Sequence, residues 1–228
     1  MTTRVMLSWS SGKDSAWALH CLRSNREIEL AGLFTTVNLE FDRVAMHGVR
    51  RSLLEAQAAS IGLPLFVIPI PNPCPNAVYE AAMAEFVAQA RTLGTTHFAF
   101  GDLFLEDVRR YRIDKLAGTG VEPLFPLWGR PTRALAREMV DKGLRAYLSC
   151  VDPKQAPRAW AGRLFDRKFV DEMPEGIDPC AEHGEFHTFA FDGPMFARPV
   201  SVAPGEIVER DGFVFADLSE REAEAPKR

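Results

Sequence analysis

The chain has 228 residues, of which 46% are hydrophobic and 25% are charged, and its formal net charge is −4. This acidic balance argues against nucleic acid as a partner, because broad nucleic-acid binding usually needs a basic face. No apolar run approaches the roughly 20 residues that span a bilayer, so we expect no membrane partner. The length accommodates one large domain or two modest ones.

The four cysteines, Cys21, Cys74, Cys150 and Cys180, lie far apart and include no C-x-x-C pair. That pattern fits a reduced protein better than a disulfide framework or a zinc site. The N-terminal residues lack the apolar core of a signal peptide. We therefore expect a cytoplasmic protein.

The first half of the chain alternates strand-like and helix-like segments. Apolar and β-branched runs predict strands at Val5–Trp9, Ile28–Val37, Leu63–Ile70, His97–Phe100 and Val121–Phe125. Helical spacing of apolar residues predicts helices at Ser15–Arg23, His47–Ile61, Val78–Leu93 and Val108–Ala117. This βαβα repetition predicts an α/β fold, with a parallel sheet covered on both faces by helices.

The pattern changes near residue 126. A helix and a strand follow, and then a basic stretch and a Pro- and Gly-rich region. Further short strands are expected at Phe186–Phe191, Pro199–Val202, Ile207–Glu209 and Phe213–Phe215. We therefore divide the chain into an α/β domain over 1–125 and a smaller α+β domain over 126–228.

The first predicted strand runs into the segment LSWSSGKDSAWAL, residues 7–19. Parallel-sheet proteins bind ligands at the carboxyl ends of strands, where a helix N-terminus favours an anion. Small residues let the backbone approach that anion, and serine hydroxyls add donors. A phosphate cradle is therefore predicted from Ser8, Ser10, Ser11, Gly12 and Ser15, with Lys13 as a nearby cation.

This segment has two other possible interpretations, a kinase-type phosphate loop and a plain turn. A kinase-type loop, G-x-x-x-x-G-K-[ST], does not fit, because Leu7 stands at its first glycine and Asp14 follows the lysine. A plain Ser/Gly turn with a capping serine is the structural alternative.

The segment resembles the pyrophosphate loop, S-x-G-G-x-D-S, of the N-type ATP pyrophosphatases. The matching positions are Ser10, Gly12, Asp14 and Ser15, and Ser11 stands in place of the first glycine. The resemblance implies that this loop holds the phosphates of ATP and that cleavage gives AMP and pyrophosphate.

Other segments resemble the diphthine–ammonia ligase family, over about residues 5–196. They include MHGVRRSLLEAQAASIGLPL, FGDLFLEDVRRYR and CAEHGEFHTFAFDGPMF. The last matches the family pattern at Glu182, Gly184, Glu185, Thr188, Phe189, Asp192, Gly193, Pro194 and Phe196. The resemblance implies a Rossmann-like domain of the HUP class, with a smaller domain forming a substrate cleft. It also implies ATP-dependent amidation, in which a carboxylate is adenylated and ammonia then displaces AMP.

Adenylation brings two anions together, so the site needs Mg²⁺ and basic groups. Asp14 and Asp102 are suitable oxygen ligands for Mg²⁺, and Gly101 precedes Asp102 at a predicted strand end. A helix N-cap is the alternative role for Asp102. His47 and Arg50, in the stretch MHGVR, are further candidates for contact with the phosphates. The alternative is that this stretch is only the start of a surface helix.

The catalytic candidates are Asp14, Glu182 and Glu185. Two carboxylates around Gly184 suit a cationic substrate or the deprotonation of ammonium, whereas a solvated loop is the alternative. His183 and His187 are four residues apart, but a metal pair at that spacing needs a helix, which Gly184 opposes.

The remaining substrate-binding candidates are Glu106, Lys154 and Thr188, besides Glu182 and Glu185. The alternative for the Glu106–Asp107 pair is that these carboxylates are favoured in the first turn of a helix by its dipole. The alternative for Lys154 is that it belongs to a solvated basic face. The expected partners are a small-molecule or protein-borne carboxylate and free ammonia, with a homodimer as one assembly state to consider. A non-catalytic ATP sensor and a tRNA-modifying enzyme are the alternative functions.

Overall fold

The computed structural model describes residues 2–44 and 48–221. The strands of the first half are β1 (Thr3–Ser8), β2 (Ile28–Asn38), β3 (Arg43–Val44), β4 (Leu65–Ile70), β5 (His97–Ala99) and β6 (Glu122–Leu124). Its helices are α1 (Lys13–Arg23), α2 (Arg51–Ile61), α3 (Asn76–Thr92) and α4 (Glu106–Leu116).

The first sheet is mostly parallel. β1 lies between β2 and β5, β2 also pairs in parallel with β4, and β5 pairs in parallel with β6. Only the two-residue β3 pairs antiparallel, with the end of β2, among the strands described for this sheet. The carboxyl ends of β1, β2, β4 and β5 therefore meet at one edge, and the predicted α/β class is confirmed.

One predicted helix is too long at its start. The segment predicted as helical from His47 becomes helical only at Arg51, because Arg50 has extended backbone and bridges to Arg43. Val44 also forms a backbone hydrogen bond within this turn, donating its N–H to the Val49 carbonyl at 2.8 Å. His47 itself lies outside the described residues.

The second half contains α5 (Thr132–Asp141), β7 (Arg145–Val151), β8 (Leu164–Phe165), α6 (Arg167–Asp171), β9 (Phe186–Asp192), β10 (Val202–Arg210) and β11 (Phe213–Glu220). These strands form an antiparallel sheet in which β7 pairs with β8, β9 and β11, and β11 pairs with β10. A smaller α+β unit therefore follows the parallel sheet, as predicted.

The two short strands expected at Pro199–Val202 and Ile207–Glu209 are wrong as separate elements. A single strand, β10, covers Val202–Arg210, with a register shift between Pro204 and Ile207. A side chain at Gly205 would place its Cβ 2.6 Å from the Asp217 carbonyl oxygen, so glycine allows the partner backbone to approach there. Pro204 and Gly205 lie at this register shift and do not end the strand.

The two halves share one hydrophobic core. Leu7 and Trp17 of the first half belong to the same buried cluster as Leu148, Phe186 and Phe189 of the second half. The division at 125/126 stays a prediction, since this core runs across it. Among the described residues, no helix has both the length and the apolar character needed to cross a bilayer.

Strand β9 and helix α2 fix the loop between β1 and α1. Ala190 donates its backbone N–H to the Ser11 carbonyl at 2.9 Å, and Thr188 Oγ1 accepts from the Lys13 N–H at 3.0 Å. Gln57 of α2 donates to the carbonyls of both Ser11 and Ala190, at 3.0 and 2.6 Å. The loop conformation is therefore set by segments distant in the sequence.

Ser11 occupies a conformation that favours glycine. Its φ is +69°, in the left-handed region, and its side chain is fully buried. Its hydroxyl oxygen also has no hydrogen-bond partner among the described residues. A serine at this position therefore carries both backbone strain and an unsatisfied polar group.

We expect Ser11→Gly to raise the free energy of unfolding by about 1 kcal/mol, because it removes the strain and the buried hydroxyl but adds chain entropy to the unfolded state. Urea denaturation measures this change. Ser11→Ala is the matched control, since it removes the hydroxyl and retains the strained Cβ. A Ser11→Gly protein less stable than the wild type would contradict this account of the loop.

Candidate functional site

Two adjoining cavities lie at the carboxyl edge of the parallel sheet. The larger, of ≈ 610 Å³, is lined by the ends of β2 and β4 and by α3, and we call it the large cavity. The smaller, of ≈ 260 Å³, is lined by Asp14, Asp102 and Glu182, and we call it the acidic cavity. The residues that line both are Ser8, Ser10, Arg112 and His187.

The β1–α1 loop lines the acidic cavity through Ser10, and the first turn of α1 does so through Asp14 and Ser15. Gly12 caps this helix without a side-chain hydrogen bond. Ser10 Oγ lies 3.2 Å from Ser15 Oγ, and Ser15 Oγ donates to the Gly12 carbonyl at 3.0 Å. A helix N-terminus with two hydroxyl groups beside it suits an anion, as the sequence predicts.

Gly12 is favoured by packing rather than by its backbone angles. Its backbone is extended, but a Cβ there would lie 3.2 Å from the Thr188 carbonyl oxygen and 3.3 Å from Thr188 Oγ1. Gly101 has a similar role, since its Cβ would lie 3.1 Å from the backbone of Asp14. Both glycines therefore allow close packing at the β1–α1 loop, Gly12 against Thr188 and Gly101 against the backbone of Asp14.

Lys13 points away from the cavities, which corrects its prediction as a phosphate-side cation. Its side chain is 2% exposed, and its Nζ donates to Asp14 Oδ2 at 2.8 Å and to the Cys180 carbonyl. Burial lowers the pKa of this amine, but Asp14, Cys180 and Asp178 together raise it by more, so the pKa of Lys13 lies above its usual value. Lys13 is therefore a buried cation that holds Asp14 in place.

One carboxylate oxygen of Asp14 lacks a hydrogen-bond partner among the described residues. Oδ2 accepts from Lys13, whereas Oδ1 is buried without a hydrogen-bond partner in the described part of the chain. Burial raises the pKa of Asp14, opposed by Lys13 and assisted by Asp178. A cation beside Oδ1 would relieve this cost.

Glu182 faces the same cavity. Its Oε1 accepts from the Leu103 N–H at 2.7 Å, so it connects its own loop to the segment after β5. Burial raises the pKa of Glu182, and the carboxylates of Asp14 and Asp102 raise it further. The carboxylates of Asp14, Asp102 and Glu182 therefore all line the acidic cavity, and the first two are the predicted metal ligands.

The donor set fits Mg²⁺ with incomplete protein coordination. In residues 2–44 and 48–221, no group of three or more His, Cys, Asp or Glu side chains is arranged to hold a metal. Mg²⁺ usually takes one or two carboxylates and completes its octahedron with water and phosphate oxygens. Asp14 and Asp102 would supply those carboxylates.

Glu185 does not line either cavity. Its side chain is 3% exposed and accepts from the backbone N–H groups of Asp178 at 3.0 Å and His183 at 3.1 Å. Ala181 has a φ of +57° in the same loop, so the turn is tight. The structure therefore places Glu185 inside the loop that presents Glu182, rather than in contact with a ligand.

Four other predicted contacts also lie away from the cavities. Thr188 is buried against the β1–α1 loop. Arg50 pairs with Asp217 of β11, because the turn before α2 directs it there. Glu106 is 75% exposed at the start of α4, and Lys154 is exposed in a turn that its N–H forms with Asp152.

Sequence reasoning missed Arg112 and His187 as cavity residues. Arg112 lies within the segment FGDLFLEDVRRYR, but three arginines there offered no basis for choosing among them. His187 was considered only as a metal ligand. Its position before the buried Thr188 on β9 turns it towards the cavities, where burial and Lys13 lower its pKa to about 4.

Comparison with known proteins matches the chain to two family models. Residues 2–121 match the diphthamide synthase N-terminal domain, and residues 131–219 match the diphthamide synthase C-terminal domain.

Among curated relatives, the diphthine–ammonia ligase of Bos taurus is 24% identical over 95% of this chain and 89% of that protein. The Homo sapiens diphthine–ammonia ligase is 25% identical over the same shares. That of Danio rerio is 31% identical over 50% of this chain and 47% of that protein. The chain therefore belongs to the diphthamide synthase family of ATP pyrophosphatase-type, C–N bond-forming ligases.

Proposed function

We propose that this protein adenylates a carboxylate with ATP and then amidates it with ammonia, releasing AMP and pyrophosphate. The observation that carries the proposal is the acidic cavity. A helix N-terminus suited to phosphate faces three carboxylates there, and this cavity adjoins a second one that is large enough for a nucleoside.

In this proposal, the large cavity receives the adenosine. Its walls include Phe34 and Thr36 from β2, Ile70 from β4, and Met83 from α3. The triphosphate extends past Ser8 and Ser10, which line both cavities. Backbone and hydroxyl donors of the first turn of α1 then meet the phosphate oxygens.

Asp14 and Asp102 hold Mg²⁺ in this arrangement. The ion supplies charge neutralisation on the phosphates, which lets a second anion approach. Lys13 keeps the Asp14 carboxylate ionised and oriented, and the buried Oδ1 has no hydrogen-bond partner among the described residues that a metal would displace.

In the first step, an acceptor carboxylate oxygen bonds to the α-phosphorus, and the bond to the bridging oxygen breaks with pyrophosphate as leaving group. The first turn of α1 stabilises the charge that develops on the phosphate oxygens. The neutral His187 lines the cavity there without adding charge.

In the second step, ammonia attacks the activated carbonyl carbon, and AMP leaves with the electron pair of the broken C–O bond. The acidic cavity attracts ammonium, and Glu182 accepts a proton from it. Because the pKa of Glu182 is raised, we place the acidic limb of the activity–pH profile above the ordinary glutamate range.

The names of the relatives point to diphthine on a protein as their acceptor. For this chain we propose a carboxylate on a protein or a small molecule, and ammonia from solution or a partner. Its four cysteines are unpaired, which supports the cytoplasm as its compartment. The homodimer stays a prediction.

The direct test supplies the protein with Mg²⁺-ATP, ¹⁵N-ammonium and candidate acceptors, including a protein that carries diphthine. Mass spectrometry of the acceptor should show a ¹⁵N amide, with AMP and pyrophosphate formed in equal amounts. Tight ATP binding without turnover on any acceptor would favour the sensor alternative instead.

Asp14→Asn should abolish the Mg²⁺-dependent part of nucleotide affinity, since it removes a carboxylate oxygen from the metal and leaves Lys13 without its counter-charge. Calorimetric titration with α,β-methylene-ATP, with and without Mg²⁺, measures the loss, which we expect to be at least about tenfold. Asp107→Asn, an exposed position at the start of α4, is the control. Wild-type Mg²⁺ dependence in Asp14→Asn would remove Asp14 from the metal site.

Glu182→Gln and Glu185→Gln should separate chemistry from structure. Glu182→Gln should keep nucleotide affinity and lower amidation about 100-fold, because the amide cannot accept the ammonium proton. Glu185→Gln should lower stability by about 1–3 kcal/mol, because one backbone N–H then faces a donor. Thermal unfolding and turnover are measured on both. A Glu185→Gln protein with wild-type stability and no turnover would return Glu185 to catalysis.

A further inference from the structure

A third cavity, of ≈ 360 Å³, lies between α3 and α4 on one face of β5, and we call it the rear cavity. Its walls are mainly apolar and include Met83 and Val87 from α3, Phe98 from β5 and Leu116 from α4. This volume falls in the range of cavities that bind small molecules. The predicted nucleotide and metal contacts do not use it.

The rear cavity shares wall residues with the two cavities of the candidate site. Arg112 and Phe100 line both the rear cavity and the acidic cavity, and Tyr79 and Met83 line both the rear cavity and the large cavity. A ligand in the rear cavity therefore has one end beside Arg112, next to the carboxylates that surround the proposed metal.

Arg112 is the cation at this junction. Its guanidinium carbon lies 4.5 Å from the centre of the Phe100 ring, which fixes the plane of the group. Its only close anionic contact among the described residues is Asp102, with Nε 3.4 Å from Oδ2. A contact of this length is weak, so the planar fork has donors left for an incoming carboxylate.

Arg112 is better placed than the other basic groups to receive a carboxylate. Lys115 also lines the rear cavity, but its Nζ pairs with Glu80 Oε1 at 2.7 Å. In the described parts of the chain, the basic residues that line the large and acidic cavities are Arg112 and His187. His187 is neutral near pH 7, and Lys13 is buried away from both cavities. The acidic cavity has three carboxylates of its own, so an acceptor carboxylate needs a positive charge to enter beside them.

We propose that the rear cavity and Arg112 form the acceptor site, which takes a carboxylate attached to an apolar body. The inference rests on the proposed function, for which it supplies the second substrate's position. The carboxylate pairs with Arg112, and the apolar body packs against Phe98, Val87 and Leu116. A triphosphate fits this site less well, because its hydrated charges would face apolar walls.

Binding at Arg112 also affects the metal site. When the acceptor carboxylate replaces Asp102 as the partner of the guanidinium, both oxygens of Asp102 become available to Mg²⁺. Acceptor and Mg²⁺-nucleotide should therefore bind with positive coupling.

Fluorine NMR tests the site with 3-(4-fluorophenyl)propionate as the probe, in the presence of Mg²⁺ and α,β-methylene-ATP. Arg112→Gln should weaken probe binding at least about tenfold and lower the affinity for the nucleotide analogue by no more than about twofold. Arg110→Gln, on an exposed position of the same helix, is the matched control. The uncharged 3-(4-fluorophenyl)propanamide should bind the wild type and Arg112→Gln equally.

A second variant tests the cavity itself. Ala84→Trp places a large ring into the rear cavity from an exposed position of α3, and Ala88→Trp does so outside its lining. Only Ala84→Trp should weaken the probe at least about tenfold. The circular dichroism spectrum verifies that both proteins fold.

Two results would overturn the inference while the proposed function stands: no probe binding to a wild type that binds the nucleotide analogue, or equal loss of probe and analogue in Arg112→Gln. The second result would assign Arg112 to a phosphate. A wild type that does not bind the nucleotide analogue at all would instead overturn the proposed function.

Discussion

The site depends on one contact between the two halves of the molecule, which joins β9 to the loop after β1. The Ala190 N–H binds the Ser11 carbonyl, and the Thr188 hydroxyl accepts from the Lys13 N–H. Gln57 supports the same carbonyl, and its Oε1 accepts from Trp9 Nε1 at 2.9 Å. Because backbone groups on the loop are fixed in this way, its first helical turn can face a ligand without rearrangement.

A buried charge pair extends this arrangement into the acidic cavity. Lys13 reaches the Cys180 carbonyl, which belongs to the loop that carries Glu182, and at the same time it binds Asp14. Its Nζ also lies 5.4 Å from the centre of the Phe186 ring. One side chain from the first half thus orients a carboxylate beside it and a distant loop of the second half. Removal of this cation would leave a buried anion unpaired, which is costly.

Local patterns were sufficient for the fold and for the loop. Strand and helix periodicity located the parallel sheet, and the serines and glycine at the end of β1 predicted an anion site at the edge where the cavities lie. The same patterns could not assign side-chain direction. Lys13 and Glu185 are buried because residues far along the chain surround them, and Arg112 reaches the cavities because α4 packs over Phe100. Such contacts depend on tertiary packing, which spacing alone does not report.

Two neighbouring residues of β9 point to opposite sides of the strand. His187 faces the cavities, while Thr188 faces the loop, as the pleat of a strand requires. An insertion or deletion of one residue ahead of this pair would exchange their directions, placing a hydroxyl in the cleft and an imidazole against Gly12. A change of one residue in the length of the chain before β9 would therefore alter the cavity lining and the support of the β1–α1 loop at the same time.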